Sequence, residues 1–283
     1  GNDILFDEAV WEQGRNFCNK LGNSFRLIKG LEISEVQDVF SKNHSSQVHQ
    51  WMYHKLSKTI DRINAHFDEF RISDALMELY KLTRDDFSGW YLEMIKPTYG
   101  QPIYTKDLDQ VIQMFDQILK LLHPFMPFIT EELWHGLGNR NGEYINQQSW
   151  PTQKPIDAAI DQNVFNLVSE IRAKRNENGI SPKVPAFISL NVNDNSIYET
   201  TEGIIHKLAN ASISENQKEC TLFKTLVGTD EVIISFEDFV IEIDTESNQK
   251  EIKRLQGFLF GIEKKLSNEK FMANAKPEII ANE

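Results

Sequence analysis

The chain has 283 residues, of which 40% are hydrophobic and 25% charged, with 14 glycines and 9 prolines. This composition excludes collagen-like, low-complexity and disordered classes, and the length favours about two folded domains. The formal net charge of -12 argues against a protein that coats nucleic acid with a large basic surface.

The acidic charge is concentrated in one part of the chain. Residues 186–249 hold 12 acidic and 3 basic residues, a net of -9, whereas residues 1–96 hold 15 acidic and 12 basic, a net of -3. Residues 250–283 hold 7 basic and 5 acidic residues. The acidic total is therefore compatible with a local basic groove in the first third.

Targeting, membrane and metal-binding patterns are missing from the sequence. No stretch approaches the roughly 18 apolar residues of a membrane span, and the N-terminus lacks the basic-then-apolar pattern of a secretion signal. The two cysteines, Cys18 and Cys220, have neither disulfide-framework nor zinc-ligand spacing. We therefore expect a cytoplasmic chain with no membrane partner and no metal site.

Apolar residues at three- and four-residue steps predict an antiparallel helical bundle in the first part of the chain. Gly30 is expected to end the first helix, while Ser73 and Thr105 are expected to cap the third and fourth. The third is expected to be one α-helix of about 35 Å. The predicted helices are 6–28, 48–67, 73–96, 105–122, 128–137 and 158–176.

Beyond residue 179 the apolar period changes to two, which predicts a small α+β unit. Its expected elements are strands at 186–192, 231–236 and 239–243 and a short helix at 201–209. A seam with steps of three and four then predicts a coiled coil of about two heptads: Ile252, Leu255, Leu259, Ile262 and Leu266. Pro277 is expected to start a returning helix, and the chain is expected to be truncated within this tail.

The fold class predicted from these patterns is mainly α, with three regions. Residues 1–155 are assigned to the helical bundle, residues 156–245 to the last bundle helix plus the α+β unit, and residues 246–283 to the start of the coiled coil.

No catalytic motif is found. The sequence has no glycine-rich phosphate loop, His-Glu-x-x-His motif or nucleophile elbow, so no catalytic residue is predicted. His44, His49 and His54 are five residues apart, which on a helix is a rotation of about 140°, so they do not share a face as zinc ligands would. We interpret them as solvated or loop histidines.

The first helix carries amides and cations along one side. Their three- and four-residue steps place them on a common face: Asn16, Asn19, Lys20, Asn23, Arg26 and Leu27. Amides and cations on a rigid helix can bond base edges and phosphates. The alternative is a solvent-exposed face with no ligand, and the spacing alone leaves both interpretations open.

The third helix places two large rings, Trp90 and Tyr91, beside carboxylates. Exposed rings can stack an unpaired base for about 1 to 3 kcal/mol, but rings in bundles are more often buried, and burial is the interpretation we favour here. Asp85 and Asp86 are adjacent, so their side chains point about 100° apart and are not expected to share an acid–base site.

Four strings in the sequence resemble the valyl-tRNA synthetase family and occur in that family's order. They are GRNFCNK at 14–20, DDFSGWYLE at 85–93, HPFMPFITEELW at 123–134 and KLSNEKF at 265–271. The first two and the PFMPF block are shared loosely with isoleucyl and leucyl relatives, whereas the last favours the valyl family. The resemblance covers essentially the whole chain and corresponds to the family's C-terminal part.

The resemblance implies a helical anticodon-binding domain, a small α+β connection and the start of a coiled coil. The parent enzyme it implies joins valine to tRNA using ATP and magnesium. Its two ATP-site signatures lie upstream of this part and are not found here, so the resemblance implies a fragment that is inactive alone and has no cofactor of its own. The implied partners are valine tRNA and the parent's own N-terminal catalytic domain, and we expect a monomer.

Carried over position by position, the resemblance implies a set of tRNA contacts. The polar contacts are Arg15, Asn16, Asn19, Lys20, Asn23 and Arg26, and the apolar platforms for an unstacked base are Leu27 and Leu92. Relatives often carry an aromatic residue where this chain has Gly22 or Leu27. The alternative functions are a helical, coiled-coil interaction scaffold that ignores RNA, and the equivalent domain of an isoleucyl-type synthetase.

Overall fold

The structure is a computed structural model that is mostly helical with small sheets. It describes residues 8–36, 39–152, 156–157, 160–192, 194–214, 220–239, 253–257, 259–260 and 262. The described residues up to 214 form one compact unit with residues 222–237, while residues 220–221 and those from 238 onward belong to a second unit. The domain boundaries expected at 155 and 245 stay predictions.

The helices of the first unit confirm the mainly α class. They are α1 Glu8–Lys29, α2 Val39–Asp68, α3 Ile72–Lys81, α4 Leu92–Ile95, α5 Thr105–Leu122, α6 Pro127–Leu137, α7 Gln162–Glu177, α8 Ser196–Glu199 and α9 Glu202–Ala209. A π-helical segment, Leu82–Tyr91, joins α3 directly to α4. The helix predicted at 73–96 is therefore continuous, but its central part is π-helical rather than α-helical.

The apolar stripe of α1 packs as its spacing predicts. The spacing places Phe17, Leu21, Phe25 and Ile28 on this stripe, and Phe17, Leu21 and Ile28 are buried while Phe25 is half-buried. The Gly30 amide donates to the carbonyl of Arg26 at 3.0 Å, which ends the helix where the sequence indicates. The buried stripe determines which side of α1 is left for solvent and ligands.

Three local predictions about helix starts are wrong. α2 begins at Val39, nine residues before the start expected at residue 48. Ser73 lies inside α3, and Tyr104 rather than Thr105 occupies the N-cap of α5. The Thr105 hydroxyl instead donates to the Ser34 carbonyl at 3.1 Å, a contact between distant segments that local cap rules do not anticipate.

The interpretation of the histidines as solvated or loop residues is also wrong. All three lie on α2, and His49 is 3% exposed. His49 Nδ1 lies 2.8 Å from the Tyr91 hydroxyl, and its Nε2 lies 3.2 Å from Asp107 Oδ1. These buried hydrogen bonds connect α2 to the π-helical segment and to α5. The partners are too distant in sequence for local spacing to reveal them.

Two small sheets complete the first unit. β1 Ile33–Ser34 pairs in parallel with β2 Ile103–Tyr104. The four-stranded sheet has the order β4-β3-β6-β5, with strands β3 Ala186–Asn191, β4 Ala211–Ile213, β5 Leu222–Val227 and β6 Asp230–Phe236. β3 runs parallel to β4 and antiparallel to β6, and β5 runs antiparallel to β6.

The sequence predicted β3 and β6 but missed β4 and β5. β4 has only three residues. β5 lies at the sheet edge, and its exposed positions include the apolar Leu222 and Leu226, so its sequence does not alternate between apolar and polar residues although its burial does.

Most of the tail predictions fall outside the described residues. This holds for residues 240–243 of the strand expected at 239–243, for the seam positions Ile252 and Leu266, and for the helix at Pro277, while Phe239 is described and is not part of a strand. Leu255 and Leu259 are helical and exposed. The coiled coil therefore stays a prediction. Within the described part of the chain, no helix has the length and apolar character needed to cross a membrane.

Candidate functional site

An open cleft of about 790 Å³ runs along α1 in the first unit. Its α1 side is formed by Glu12, Gln13, Asn16, Phe17 and Lys20. The opposite side is formed by Tyr80 of α3, by Arg84, Asp85, Gly89 and Trp90 of the π-helical segment, and by Arg172 of α7. We call this the α1 cleft.

Two contacts join the two sides of the α1 cleft. The buried hydroxyls of Ser24 and Ser88 are 2.9 Å apart. The Phe17 and Tyr80 rings pack with centroids 5.0 Å apart. These contacts hold α1 against α3 and the π-helical segment, so polar side chains from both sides surround one opening.

The π-helical segment shapes the second side of the α1 cleft. In a π-helix the backbone bonds join residues five apart, so such residues lie roughly above one another. This brings Arg84 near Gly89 along the segment, and Asp85 near Trp90, on the side that faces α1. In an α-helix, five residues correspond to a rotation of about 140°, and the pairs would separate. The 3.6-residue period assumed from sequence therefore missed this grouping.

Trp90 is held as a half-buried ring at the edge of the α1 cleft. Its edge meets Phe165 in a T-shaped contact, with centroids 5.1 Å apart. The Arg172 guanidinium lies 5.1 Å from the Trp90 ring centroid, in cation–π range. Burial was the correct interpretation for Tyr91, which is 0% exposed, whereas Trp90 keeps a surface on the cleft.

The α1 cleft has more cations than the acidic chain average suggests. Lys20, Arg84 and Arg172 line it together with two carboxylates, and Glu12 already accepts a bond from Arg15 at 2.9 Å. Lys20 has no ion-pair partner among the described residues. The cleft can therefore offer amide, ammonium and guanidinium donors to an anionic ligand.

The two adjacent aspartates do not share a site, as the sequence predicts. Asp85 is exposed on the α1 cleft, while Asp86 is half-buried and pairs with Lys55 at 3.3 Å. Burial raises the pKa of Asp86, and the nearby Lys55 ammonium opposes that rise. No group of side chains in the described ranges has the composition of a metal site.

The structure brings only some of the expected contact residues into the cleft. Asn16 and Lys20 line it, and Arg15 lies beside it, turned toward Glu12 and stacked on Trp11 with 5.6 Å between guanidinium and ring centroid. The others lie farther along α1. Asn19, Asn23 and Arg26 are exposed, Leu27 is half-buried, and Arg26 Nε donates to the carbonyl of Gly22 at 3.3 Å.

Leu92 requires a correction. Its side chain, at the start of α4, is only 3% exposed. It has no open apolar surface on which a base can stack. Trp90, two residues earlier, has such a surface and was not among the expected contacts.

Sequence reasoning also missed Arg84 and Arg172. Arg84 belongs to the π-helical segment, and no local pattern announced that geometry. Arg172 is on α7, far from α1 in sequence, so only a tertiary contact reveals it. The sequence offered one indication for Arg84, which is a cation directly before the string at 85–93 that contains Trp90 and Tyr91.

The chain resembles curated proteins along its whole length. It is 36% identical over its full length to a valine–tRNA ligase of Christiangramia forsetii, of which it covers 33%. It is 40% identical over 99% of its length to a valine–tRNA ligase of Phocaeicola vulgatus, covering 32% of that protein, and 30% identical over its full length to one from Agrobacterium fabrum, again covering 32%. The chain thus spans about a third of the length of these relatives.

A family match covers the centre of the chain. Residues 49–190, about half of the chain, match the family described as the anticodon-binding domain of tRNA ligase. The matched range contains the π-helical segment and α7, and the full-length relatives extend the similarity over α1. The chain therefore belongs to the family of anticodon-binding domains of tRNA ligases.

Proposed function

We propose that the α1 cleft binds the anticodon loop of a valine tRNA. The chain then serves as the tRNA-binding, C-terminal part of a class I synthetase that attaches valine to its tRNA. The observation that carries this proposal is the placement of Asn16 and Lys20 opposite Arg84 and Trp90 across an open cleft. Amides and cations bond base edges and phosphates, and a ring stacks an unpaired base.

The side chains divide between phosphate and base contacts by their chemistry. Lys20 and Arg84 are assigned to phosphates, Asn16 to a base edge and Trp90 to stacking. The flanking residues on α1 extend the contact surface: Arg15, Asn19, Asn23, Arg26 and Leu27. Membership in the anticodon-binding family and similarity to valine–tRNA ligases support this choice of ligand.

Recognition rather than catalysis is the task assigned to this part of the enzyme. Aminoacylation, which uses ATP and magnesium, is assigned to an N-terminal catalytic domain of the parent enzyme. The parent enzyme is assigned to the cytoplasm, and this chain is expected to be monomeric. The coiled-coil seam at 252–266 is proposed to extend the RNA contact beyond the anticodon.

The test compares two RNAs and two lysine variants. We expect valine tRNA to bind more tightly than the same tRNA with its middle anticodon base changed. Lys20→Ala should weaken binding of valine tRNA and lower the slope of log K against log salt by about 0.7, the value for one lost single-strand phosphate contact. Lys58→Ala is the matched control, because Lys58 is an exposed helix lysine away from the α1 cleft.

Each other outcome selects a different function. Equal binding of the two tRNAs contradicts anticodon recognition. Preference for an isoleucine tRNA favours the isoleucyl-type alternative. A stable dimer whose elution is unchanged by tRNA favours the interaction scaffold.

A further inference from the structure

A second, smaller cleft of about 390 Å³ adjoins the α1 cleft. Arg172 lines both clefts, so the two openings are neighbours on the same unit. Arg175 and Asn176 of α7 and Lys207 of α9 also line the second opening. We call this the α7–α9 cleft.

The cations of the α7–α9 cleft are held by neutral groups. Arg172 Nη2 donates to the Leu208 carbonyl at 2.9 Å, and Lys207 Nζ donates to the Met94 carbonyl at 2.6 Å. Arg175 Nη2 donates to the Ala209 carbonyl at 3.0 Å. A carbonyl positions a cation without neutralising its charge.

These positive charges are not balanced locally. Among the described residues, none of Arg172, Arg175 and Lys207 has a carboxylate within ion-pair distance. Arg175 is 4% exposed, and its Nε has no hydrogen-bond partner in the described part of the chain. A buried cation of this kind is stabilised when an anion binds nearby.

The electrostatics of Lys207 agree with this interpretation. The side chain is exposed overall, but its ammonium lies against the protein, where it donates to the Met94 carbonyl. Loss of hydration there, with the like charge of Lys96, lowers its pKa to about 8. Glu93 opposes the effect but already pairs with Lys96 at 2.7 Å. The protein therefore leaves the Lys207 ammonium without a full counter-charge, which an anionic ligand would supply.

We propose that the α7–α9 cleft binds a backbone phosphate of the same RNA whose anticodon loop occupies the α1 cleft, and this rests on the proposed function. A nucleic acid strand carries one phosphate per nucleotide, so a strand that leaves the α1 cleft past Arg172 presents further phosphates to the next cleft. Guanidinium and ammonium groups are the side chains that bind such phosphates. Lys207 is thus assigned to a second phosphate contact, outside the anticodon.

The test measures the affinity of the chain for valine tRNA over a series of salt concentrations. We expect Lys207→Gln to weaken binding about fivefold and to lower the salt slope by about 0.7. The loss should be equal for the native and the altered anticodon, because a phosphate contact carries no sequence information. Lys207→Arg should keep the wild-type slope, and so should the control Lys58→Gln.

A second variant keeps the test independent of the Met94 contact. Asn176→Glu places a negative charge in the exposed wall of the α7–α9 cleft, and it should weaken tRNA binding by a similar factor without touching Lys207. Thermal melts of both variants check that the fold is intact.

The outcomes separate this proposal from the proposed function. If Lys20→Ala weakens binding while Lys207→Gln and Asn176→Glu leave affinity and slope unchanged, the second contact is wrong and the α1 cleft stands. If Lys20→Ala also has no effect, the proposed function fails with it. If inorganic phosphate shifts the Lys207 ammonium resonance but the tRNA salt slope of Lys207→Gln is unchanged, the cleft takes free phosphate and the RNA contact is refuted.

Discussion

Adjacent residues on α1 are expected to respond in opposite ways to alanine substitution. Leu21 is 0% exposed, so Leu21→Ala removes three buried carbon groups from the bundle core. At about 0.8 kcal/mol per group the transfer loss is about 2.4 kcal/mol. A residual cavity raises the cost, so the free energy of unfolding should fall by about 2 to 5 kcal/mol.

The neighbouring Lys20→Ala should change stability by less than about 0.5 kcal/mol, because Lys20 has no ion pair among the described residues and alanine favours helix. Urea unfolding followed by tryptophan fluorescence measures both, since Trp51 and Trp134 are buried in the same unit. The tRNA affinity of the folded variants should show the reverse order, with Lys20→Ala weakening binding more than Leu21→Ala. If Lys20→Ala lost more stability than Leu21→Ala, our assignment of the buried and open sides of α1 would be refuted.

Three further predictions concern packing, a buried network and pH. Gly136→Ala should lower the free energy of unfolding by about 1 to 3 kcal/mol, because the new Cβ would lie 2.5 Å from Phe25 Cζ. Gly14→Ala, which has open space around it, should raise the free energy of unfolding by up to about 1 kcal/mol. Urea unfolding measures both. Tyr91→Phe should cost about 1 to 3 kcal/mol by leaving His49 Nδ1 unpaired, while Tyr99→Phe, at a fully exposed ring, should cost nothing measurable in the same assay. Between pH 7.5 and 9.5 the unfolding free energy of the wild type should rise relative to that of Lys207→Met.

The sign of the pH effect follows from the lowered pKa of Lys207. Its folded value is about 8, against an ordinary value of 10.5, so between these values the unfolded chain binds the proton more tightly. Stability therefore rises with pH over this range, and the contribution is lost as the pH falls through about 8. Lys96, Glu93 and His44 interact electrostatically with Lys207. They are retained in Lys207→Met, so the difference between the two proteins isolates the single group. An identical pH profile would contradict the lowered pKa.

Local patterns predicted the elements whose burial repeats with the helical period. The stripe of Phe17, Leu21 and Ile28 packs as expected, and Gly30 ends α1 where its position in sequence indicates. The amide and cation row on α1 follows directly from that stripe, because residues off the buried side of a helix are the ones left to solvent. The resemblance to valyl-tRNA synthetases likewise depended on strings of adjacent residues.

The second wall of the α1 cleft was decided by tertiary structure. The π-helical segment carries Arg84 and Trp90 to one side, and a sequence period of 3.6 cannot anticipate its wider turn. Arg172 joins them from α7, and Leu92 is buried where an open platform was expected. A residue's spacing in sequence determines its own helix face, but the neighbours that cover or extend that face come from distant segments, and only the folded chain brings them together.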